Sequence, residues 1–294
     1  MSVIKVNNIT NLSGTSGPVI AGIATVSTTS HMVVPTGNTG QKVPLAPDPY
    51  IDNLVLALPF NSESVFDDVS PRNQGTFSGR GSVGFATTTA SLPFGVSGVT
   101  TTSVGIVTFS KYYGTSVGFN TTISGTQALQ NINTSDYQFG GQDFTIECWI
   151  YLRSFFDSGD GDYPVVVKCS TDASWLTGWS FGLRNTSKFN WYANGTGVDG
   201  QSYTYDNASV STYSTNTWYH IAIVRKNLIR SLYVNGVLDG SNTDLLNYQP
   251  TSIISIGNDI AQSAGFSGYL QDLRIYKGVA KYTSNFTPPN QIAL

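Results

Sequence analysis

Hydrophobic and polar residues alternate along much of the chain after Asp52, and this period of two is typical of β-strands that bury one face. The clearest example is Phe144–Leu152 (FTIECWIYL), which places Phe, Ile, Cys, Ile and Leu on one face and Thr, Glu, Trp and Tyr on the other. No stretch keeps a helical period. Further strands are predicted at residues 53–60, 164–168, 178–183, 188–193, 218–225, 229–234, 252–256 and 268–276.

An Asn-Gly pair, Asn235 and Gly236, follows one of these predicted strands. This dipeptide readily adopts the positive φ angles that a two-residue hairpin turn requires, so it predicts a β-hairpin. Many short strands joined by Gly-rich and Asn-rich turns are the pattern of an antiparallel sandwich. We therefore predict an all-β jelly-roll sandwich.

The first 50 residues differ in character from the rest of the chain. They contain no aromatic residue before Tyr50, and residues 43–49 form the proline-rich run VPLAPDP. A segment of this composition cannot close a hydrophobic core of its own. We expect residues 1–50 to form an extended N-terminal attachment arm with a stiff link, and residues 51–294 to form the domain. An unattached, floppy tail is the alternative for the arm.

Charge and composition narrow the range of partners. Lys and Arg total 15 against 18 Asp and Glu in 294 residues, and the net charge of -3 provides no cationic surface for nucleic acid. Only 11% of the residues are charged, but 40% are hydrophobic, which is enough for a sizeable core. The apolar residues 19–26 are too few to span a membrane, and the N-terminus lacks a secretory h-region. We expect no nucleic-acid partner, no membrane span and no secretory route.

Two long motifs carry a family resemblance. Residues 216–240 (NTWYHIAIVRKNLIRSLYVNGVLDG) contain a W-x-H strand and a Y-V-N-G turn, and residues 266–289 (FSGYLQDLRIYKGVAKYTSNFTPP) end in G-x-A-x-Y-x-x-x-F-x-P-P. Both resemble the laminin-G-like domains of the concanavalin A-like lectin fold. The likeness continues at residues 56–70, which end in an Asp-x-Ser turn, and at residues 111–120 and 144–152, and it is interrupted at residues 79–106. It implies a concanavalin A-like jelly roll over residues 51–289 that binds glycan or protein.

The N-terminal arm has a resemblance of its own. Residues 4–40, with TVSTTS before His31 and VVPTG soon after it, resemble the N-terminal segments of structural proteins from tailed phages of marine cyanobacteria. The likeness implies a fibre, decoration or adhesin, assembled in the host cytoplasm and displayed on the virion surface. It would bind other virion proteins through residues 1–48 and form a homo-oligomer, with a trimer as our guess. A lectin-like module of a cellular surface or secreted protein and a purely architectural cement protein are the alternatives.

Asp157, Asp160 and Asp162 lie in one Gly-rich turn between two predicted strands. Carboxylate oxygens on a bendable loop suit calcium, and the family resemblance implies a calcium ion on a rim loop. The order of the residues differs from that of an EF-hand loop, so a solvated acidic turn without an ion is the alternative. Calcium is the one cofactor that the sequence indicates.

A sugar-binding site requires an aromatic platform with polar groups around it, because a pyranose has an apolar face and a rim of hydroxyls. The middle third of the chain supplies such residues in or beside predicted loops. The candidates are Trp175, Trp179, Tyr192, Asn194 and Tyr203, with Trp191 and Tyr205 nearby. Several of these residues are needed for the core instead, and Trp149 and Trp218 are expected to be structural.

The stock of catalytic residues is very small. Glu63 and Glu147 are the only glutamates and lie far apart in sequence, whereas glucanases of this fold place two or three carboxylates on one strand. His220 shares a predicted face with Trp218 and Val224, so we expect a core histidine rather than a member of a Ser-His-Asp site. The sequence predicts a protein that is not an enzyme.

Cys148 and Cys169 are the only cysteines. They lie on predicted strands that could be neighbours, which would allow a disulfide between them. Without a secretory route, two buried thiols are the expected state.

Overall fold

The computed structural model describes residues 48–60, 66–80, 105–107, 111, 116–119, 128–132, 135–155, 164–170, 178–184, 186–249, 253–259 and 264–289. Fifteen β-strands and two short 3-10 turns, Ile51–Asn53 and Ser135–Tyr137, lie in these ranges. The strands are β1 Leu54–Leu58, β2 Ser78–Arg80, β3 Gly105–Val107, β4 Ser116–Phe119, β5 Ala128–Ile132, β6 Phe144–Leu152, β7 Val165–Ser170, β8 Gly178–Arg184, β9 Lys188–Thr196, β10 Ser202–Ala208, β11 Trp218–Lys226, β12 Ile229–Val234, β13 Val237–Thr243, β14 Ile253–Ile256 and β15 Gly268–Lys277.

The strands form two antiparallel sheets. The eight-stranded sheet has the order β13-β12-β11-β6-β15-β4-β3, with β1 also paired to β15, and the seven-stranded sheet has the order β10-β9-β8-β7-β14-β5-β2. Strand β6 lies between β11 and β15, and neither of these neighbours is next to β6 in the sequence. The chain therefore crosses between the two sheets, as in a jelly roll. The predicted all-β fold class is confirmed.

The hydrophobic core lies between the two sheets. The predicted core face of β6 is confirmed, since Phe144, Ile146, Cys148, Ile150 and Leu152 all belong to the core. The seven-stranded sheet contributes a stack of aromatic rings, in which the indoles of Trp179 and Trp191 are 5.5 Å apart with 9° between their planes. Each such pair stabilises the fold by about 1 kcal/mol beyond its burial.

The outer face of the eight-stranded sheet is covered by the segment 278–289, which we call the C-terminal segment. Its side chains Tyr282 and Phe286 pack on Tyr233 and Val224 of the sheet. His220, on the same face, is fully buried, which confirms the prediction of a core histidine. Both faces of this sheet are therefore buried in the region of β6 and β11.

The Y-V-N-G turn is where the C-terminal segment is attached. Asn235 and Gly236 have φ angles of 50° and 79°, as the hairpin prediction required. The Phe286 amide donates to the Gly236 carbonyl at 2.9 Å. A Cβ atom at position 236 would lie 1.9 Å from the Phe286 carbonyl oxygen, so glycine is required both for the turn and for this approach.

A buried carboxylate organises the opening motif of the domain. Asp68 Oδ1 accepts from the amides of Ala57 at 2.8 Å and Ser70 at 2.9 Å. Its Oδ2 accepts from the Ser70 hydroxyl at 2.8 Å and the Gln74 amide at 2.6 Å. These four bonds fold the chain after β1 into a tight turn, which explains the Asp-x-Ser spacing.

Cys148 and Cys169 are both buried free thiols, as expected. The prediction that their strands could be neighbours is wrong, because β6 belongs to the eight-stranded sheet and β7 to the seven-stranded sheet. Burial raises the pKa of both thiols well above its usual range. Strands β6 and β7 have similar hydrophobic patterns because each is an interior strand of its own sheet.

Strand β10 was not predicted from the alternation. Its sequence SYTYDNA carries no aliphatic core residue, and the strand lies at the edge of its sheet, where one face is largely open. Tyr203 and Tyr205 therefore lie on a strand rather than in a loop. No helix in the described part of the chain is long and apolar enough to cross a membrane.

Candidate functional site

The candidate site lies on the outer face of the seven-stranded sheet, on strands β9 and β10. Along β9 the residues Phe189, Trp191 and Ala193 belong to the core. The alternation therefore directs Asn190, Tyr192 and Asn194 to the opposite face. We call this surface the β9–β10 face, and it consists of Arg184, Asn190, Tyr192, Asn194, Thr204 and Asp206.

Tyr192 occupies the middle of the β9–β10 face. In the strand register it lies opposite Asp206 of β10 and Ser180 of β8. Asn194, two residues further along the same face, donates from Nδ2 to the Thr204 hydroxyl at 3.1 Å. Both Tyr192 and Asn194 are partly exposed, so a ring and an amide are presented side by side to solvent.

A charged group adjoins Tyr192 on its other side. Arg184 Nε donates to Asn190 Oδ1 at 3.1 Å, and Asn190 Nδ2 donates to Asp206 Oδ1 at 3.0 Å. The Arg184 guanidinium also forms an ion pair with Asp206 Oδ2. The side chains of Arg184 and Asp206 are 25% and 35% exposed, so the pair is accessible to a ligand.

The middle of the sheet is closed on this face. Further along the register, Ser180, Lys168 and Ser255 are buried at 4%, 3% and 0% exposure. An accessible ring with amides, a hydroxyl and an ion pair around it can stack on an apolar surface of a ligand while bonding its hydroxyls. The β9–β10 face therefore has the chemistry of a saccharide-binding surface.

Of the five predicted glycan-binding residues, the structure brings two together on this face, Tyr192 and Asn194. Trp179 is 1% exposed and belongs to the core, so it presents no ring to a ligand. Trp175 lies outside the described residues, as do the calcium candidates Asp157, Asp160 and Asp162. Within the ranges that the structure describes, no three His, Cys, Asp or Glu side chains gather into a metal site.

Tyr203 faces the inner side of β10, away from Tyr192. Its ring is stacked on that of Tyr205, with 5.8 Å between centroids, and Gly197 lies against its edge. Its hydroxyl donates to Asp199 Oδ2 at 2.5 Å, which raises the pKa of Tyr203 and lowers that of Asp199. These contacts hold the β9–β10 hairpin together. Tyr203 therefore lies on the other side of β10 from Tyr192 and is not part of the β9–β10 face.

Four residues of the face were missed in the sequence: Arg184, Asn190, Thr204 and Asp206. The signal for Asn190 was present, because KFNWYAN alternates Asn, Tyr and Asn with Phe, Trp and Ala. Thr204 and Asp206 lie on the strand that was not predicted, so nothing in the local pattern placed them beside Tyr192. Arg184 reaches the site across β9, which only the sheet order reveals.

A second polar group lies beneath the C-terminal segment. Glu147 accepts from Lys281 Nζ at 2.6 Å and from the Tyr282 hydroxyl at 2.7 Å, and His220 Nε2 lies 3.3 Å from the same carboxylate. Burial opposes ionisation, but Lys281 and His220 together hold the pKa of Glu147 well below its usual range. Glu147 is 1% exposed, so its carboxylate fixes the C-terminal segment and is not presented to a substrate.

Comparison with protein families assigns the fold. The laminin-G family model described as the concanavalin A-like lectin/glucanases superfamily matches residues 125–281, which is just over half of the chain. The chain belongs to this superfamily. The matched range contains β5 to β15 and both residues of the site that were predicted from the sequence. Comparison with curated proteins finds no match.

Several solved structures share this superfamily fold. Domain 4 of the extracellular arabinanase AbnA from Geobacillus stearothermophilus, in complex with arabinotriose, is 14% identical with a TM-score of 0.53, and the match covers 78% of this chain and 94% of that one. The binding domain of Paraclostridial Mosquitocidal Protein 1 is 20% identical with a TM-score of 0.52, covering 78% and 50%. Botulinum neurotoxin type C, which interacts with two ganglioside molecules, is 15% identical with a TM-score of 0.51, covering 78% and 49%. The chain thus spans about half the length of these toxin structures.

Proposed function

We propose that this domain is a glycan-binding module that binds saccharides on the β9–β10 face. The observation that carries the proposal is the position of Tyr192, partly exposed on the open face of the sheet with Asn194 on one side and the Arg184–Asp206 pair on the other. A saccharide needs an aromatic surface for its apolar face and polar partners for its hydroxyls, and this face supplies both. Structures with the same fold that bind arabinotriose or gangliosides support the proposal by analogy.

We propose further that the protein is not an enzyme. Hydrolysis of a glycosidic bond requires two carboxyl groups about 5 to 10 Å apart on either side of the bond. Of the two glutamates, Glu147 is buried in ion pairs beneath the C-terminal segment, and Glu63 lies outside the described residues. On the β9–β10 face Asp206 is the one acidic side chain, and Arg184 already binds it.

The resemblance of the first 40 residues to phage structural proteins supports a biological setting for this binding. We propose that the protein is a structural component on the surface of a tailed-phage virion, with residues 1–48 bound to other virion proteins and the domain facing outward. Weak binding of single saccharides would then be strengthened by a homo-oligomer, for which we propose a trimer. A cement protein with the same anchor would bind no glycan.

A glycan array tests the proposed binding. We expect the wild-type protein to bind a subset of saccharides, and Tyr192→Ala to lose affinity about five- to thirtyfold, because one aromatic stacking contact contributes about 1 to 2 kcal/mol. Tyr151→Ala is the matched control, since Tyr151 is a partly exposed tyrosine on the outer face of the other sheet. Binding that survives Tyr192→Ala, or silence of the wild-type protein on the array, would show that the proposal is wrong.

A further inference from the structure

The ion pair on the β9–β10 face bears on which saccharides this face accepts. Arg184 is the last residue of β8, and Asp206 lies on β10, with β9 between them. The Arg184 side chain therefore extends across β9, over the buried Asn190, to reach the Asp206 carboxylate. Asn190 bonds both partners at once, at 3.1 Å to Arg184 and 3.0 Å to Asp206, so the three side chains form one fixed group beside Tyr192.

The charge of this group is balanced. Arg184 contributes one positive charge and Asp206 one negative charge, in contact with each other. Lys188 is the other cation on this side of β9, and its Nζ donates to the Val210 carbonyl at 3.0 Å. Lys188 lies opposite Arg184 in the strand register, but its Nζ is held at Val210, whereas the Arg184 guanidinium reaches Asp206, the residue opposite Tyr192. Lys168 of β7, in the same register row as Ser180 and Tyr192, is 3% exposed and does not reach a ligand. Among the residues that the structure describes, the surface around Tyr192 therefore presents no unbalanced cation.

A sialylated or sulfated saccharide needs an unbalanced cation near the ring platform to offset the loss of water around its anionic group. A neutral saccharide needs only donors and acceptors, which Asn194, Thr204 and the ion pair provide. We infer that Asp206 is a specificity residue that neutralises Arg184 and thereby restricts the β9–β10 face to neutral saccharides. This inference rests on the proposed glycan binding and adds the ligand class.

The ion pair could instead serve only to join β8, β9 and β10. A purely structural role predicts that loss of the Asp206 charge changes stability and leaves ligand preference as it was. A role in specificity predicts that the same change exposes Arg184 to the ligand and admits anionic saccharides. Measuring ligand preference therefore distinguishes the two roles, whatever happens to stability.

The variant Asp206→Asn makes this test. Asparagine retains an oxygen that can accept from Asn190 Nδ2 but removes the charge that neutralises Arg184. By calorimetry, we expect its affinity for 3′-sialyllactose to rise about three- to fivefold over wild type, the upper part of the range for one partly exposed charge pair, while its affinity for lactose stays within about twofold. The gain should fall on raising the salt concentration, because the new interaction is between partly exposed charges.

Two further variants make the result specific. Asp199→Asn removes the same charge from an exposed carboxylate on the β9–β10 turn, which bonds Tyr203 rather than Arg184, and it should produce no gain. Arg184→Gln in the Asp206→Asn background should abolish the gain, because the liberated cation is then absent. A gain in Asp199→Asn equal to that in Asp206→Asn would show an effect of net charge alone and overturn the inference.

The outcomes separate this inference from the proposed function. A wild-type protein that binds 3′-sialyllactose more tightly than lactose through Tyr192 would overturn the inference and leave glycan binding intact. If the wild-type protein binds lactose and Asp206→Asn shows no gain in affinity for 3′-sialyllactose, the inference is likewise overturned and glycan binding stands. Failure of the wild-type protein to bind any saccharide in the array would overturn the proposed function and the inference with it.

Discussion

At the scale of single residues, buried polar side chains decide which distant parts of the chain are held together. Glu147 of β6 bonds Lys281 and Tyr282 of the C-terminal segment, and Asp68 bonds four groups in the turn after β1. A buried carboxylate without partners would be strongly unfavourable, so each of these residues requires its neighbours to be in place. The family motifs G-x-A-x-Y and Asp-x-Ser coincide with these bonds.

Glu147→Gln is expected to lower the free energy of unfolding by about 2 kcal/mol at neutral pH, because it removes the carboxylate 2.6 Å from Lys281 Nζ and leaves that charge paired with Asp48 at 3.4 Å. Since the folded state lowers the pKa of Glu147 below its ordinary 4.5, ionised Glu147 stabilises the fold above pH 4.5, and this contribution is lost as the pH falls below that value. The difference between variant and wild type should therefore shrink by about 1.4 kcal/mol for each pH unit below 4.5.

Urea unfolding at pH 7, 4 and 3 measures this dependence. Asp52→Asn, at an exposed residue of the first 3-10 turn, serves as the control and should differ little from wild type at every pH. A Glu147→Gln protein as stable as wild type at pH 7 would show that the carboxylate has no such role.

At the scale of elements, the C-terminal segment forms a further layer on the eight-stranded sheet. It lies on the outer face of β11 and β12, and it is attached to the Y-V-N-G turn through backbone and side chain bonds. The Phe286 ring stacks on Tyr282 at 3.5 Å and contacts Tyr233 at 5.5 Å. The segment has no regular secondary structure, so these side-chain contacts hold it on the sheet in place of the ladder of hydrogen bonds that would hold a strand.

Phe286→Ala is expected to destabilise the domain by about 2 kcal/mol and to release the C-terminal segment before the sheets unfold, because the ring is its main apolar contact. Hydrogen exchange should therefore rise at the amide of residue 286, which donates to the Gly236 carbonyl, and at the amide of Leu238, which donates to Asn285 Oδ1, while the amides of β6 remain protected. Val210→Ala, at a 73% exposed side chain, is the control. A uniform rise in exchange over both sheets would contradict independent release of the segment.

At the scale of the whole molecule, the two ends of the domain meet. Asp48, within the proline-rich run, accepts from the Tyr276 hydroxyl of β15 at 2.5 Å and pairs with Lys281 of the C-terminal segment at 3.4 Å. Arg274 lies 3.7 Å from the same carboxylate. Asp48 is therefore bound to the domain, although its position in the sequence is within the proposed arm.

Removal of residues 1–46, which spares Asp48, is expected to leave the melting temperature of the domain within about 2 °C of the full chain, since a loss of a few tenths of a kcal/mol moves it no further. Particle association should be lost, because the proposed attachment lies in the deleted segment. Calorimetry measures the melting temperature, and co-sedimentation with assembled phage particles measures the association. Normal incorporation of the truncated protein would disprove the anchor.

The local alternation of hydrophobic and polar residues was sufficient to predict the strands that have one apolar face. The alternation in Phe144–Leu152 predicted both the strand and the residues that face the core, and residues 188–193 were predicted as a strand, because burial of apolar surface dominates their energy. The pattern failed at β10, where an edge strand has little apolar surface to bury. It also left open which tryptophans are buried, and Trp179 proved to belong to the core.

The sequence by itself determined the all-β class, the Asn-Gly hairpin and the core faces of the central strands, since each follows from contacts between residues close in the chain. Tertiary structure alone decided that Asp206 lies beside Tyr192, that Arg184 crosses β9 to reach it, and that Glu147 is covered by the C-terminal segment. Those arrangements depend on sheet order and on pairing between strands far apart in sequence, which periodicity does not record. The functional face is of this second kind.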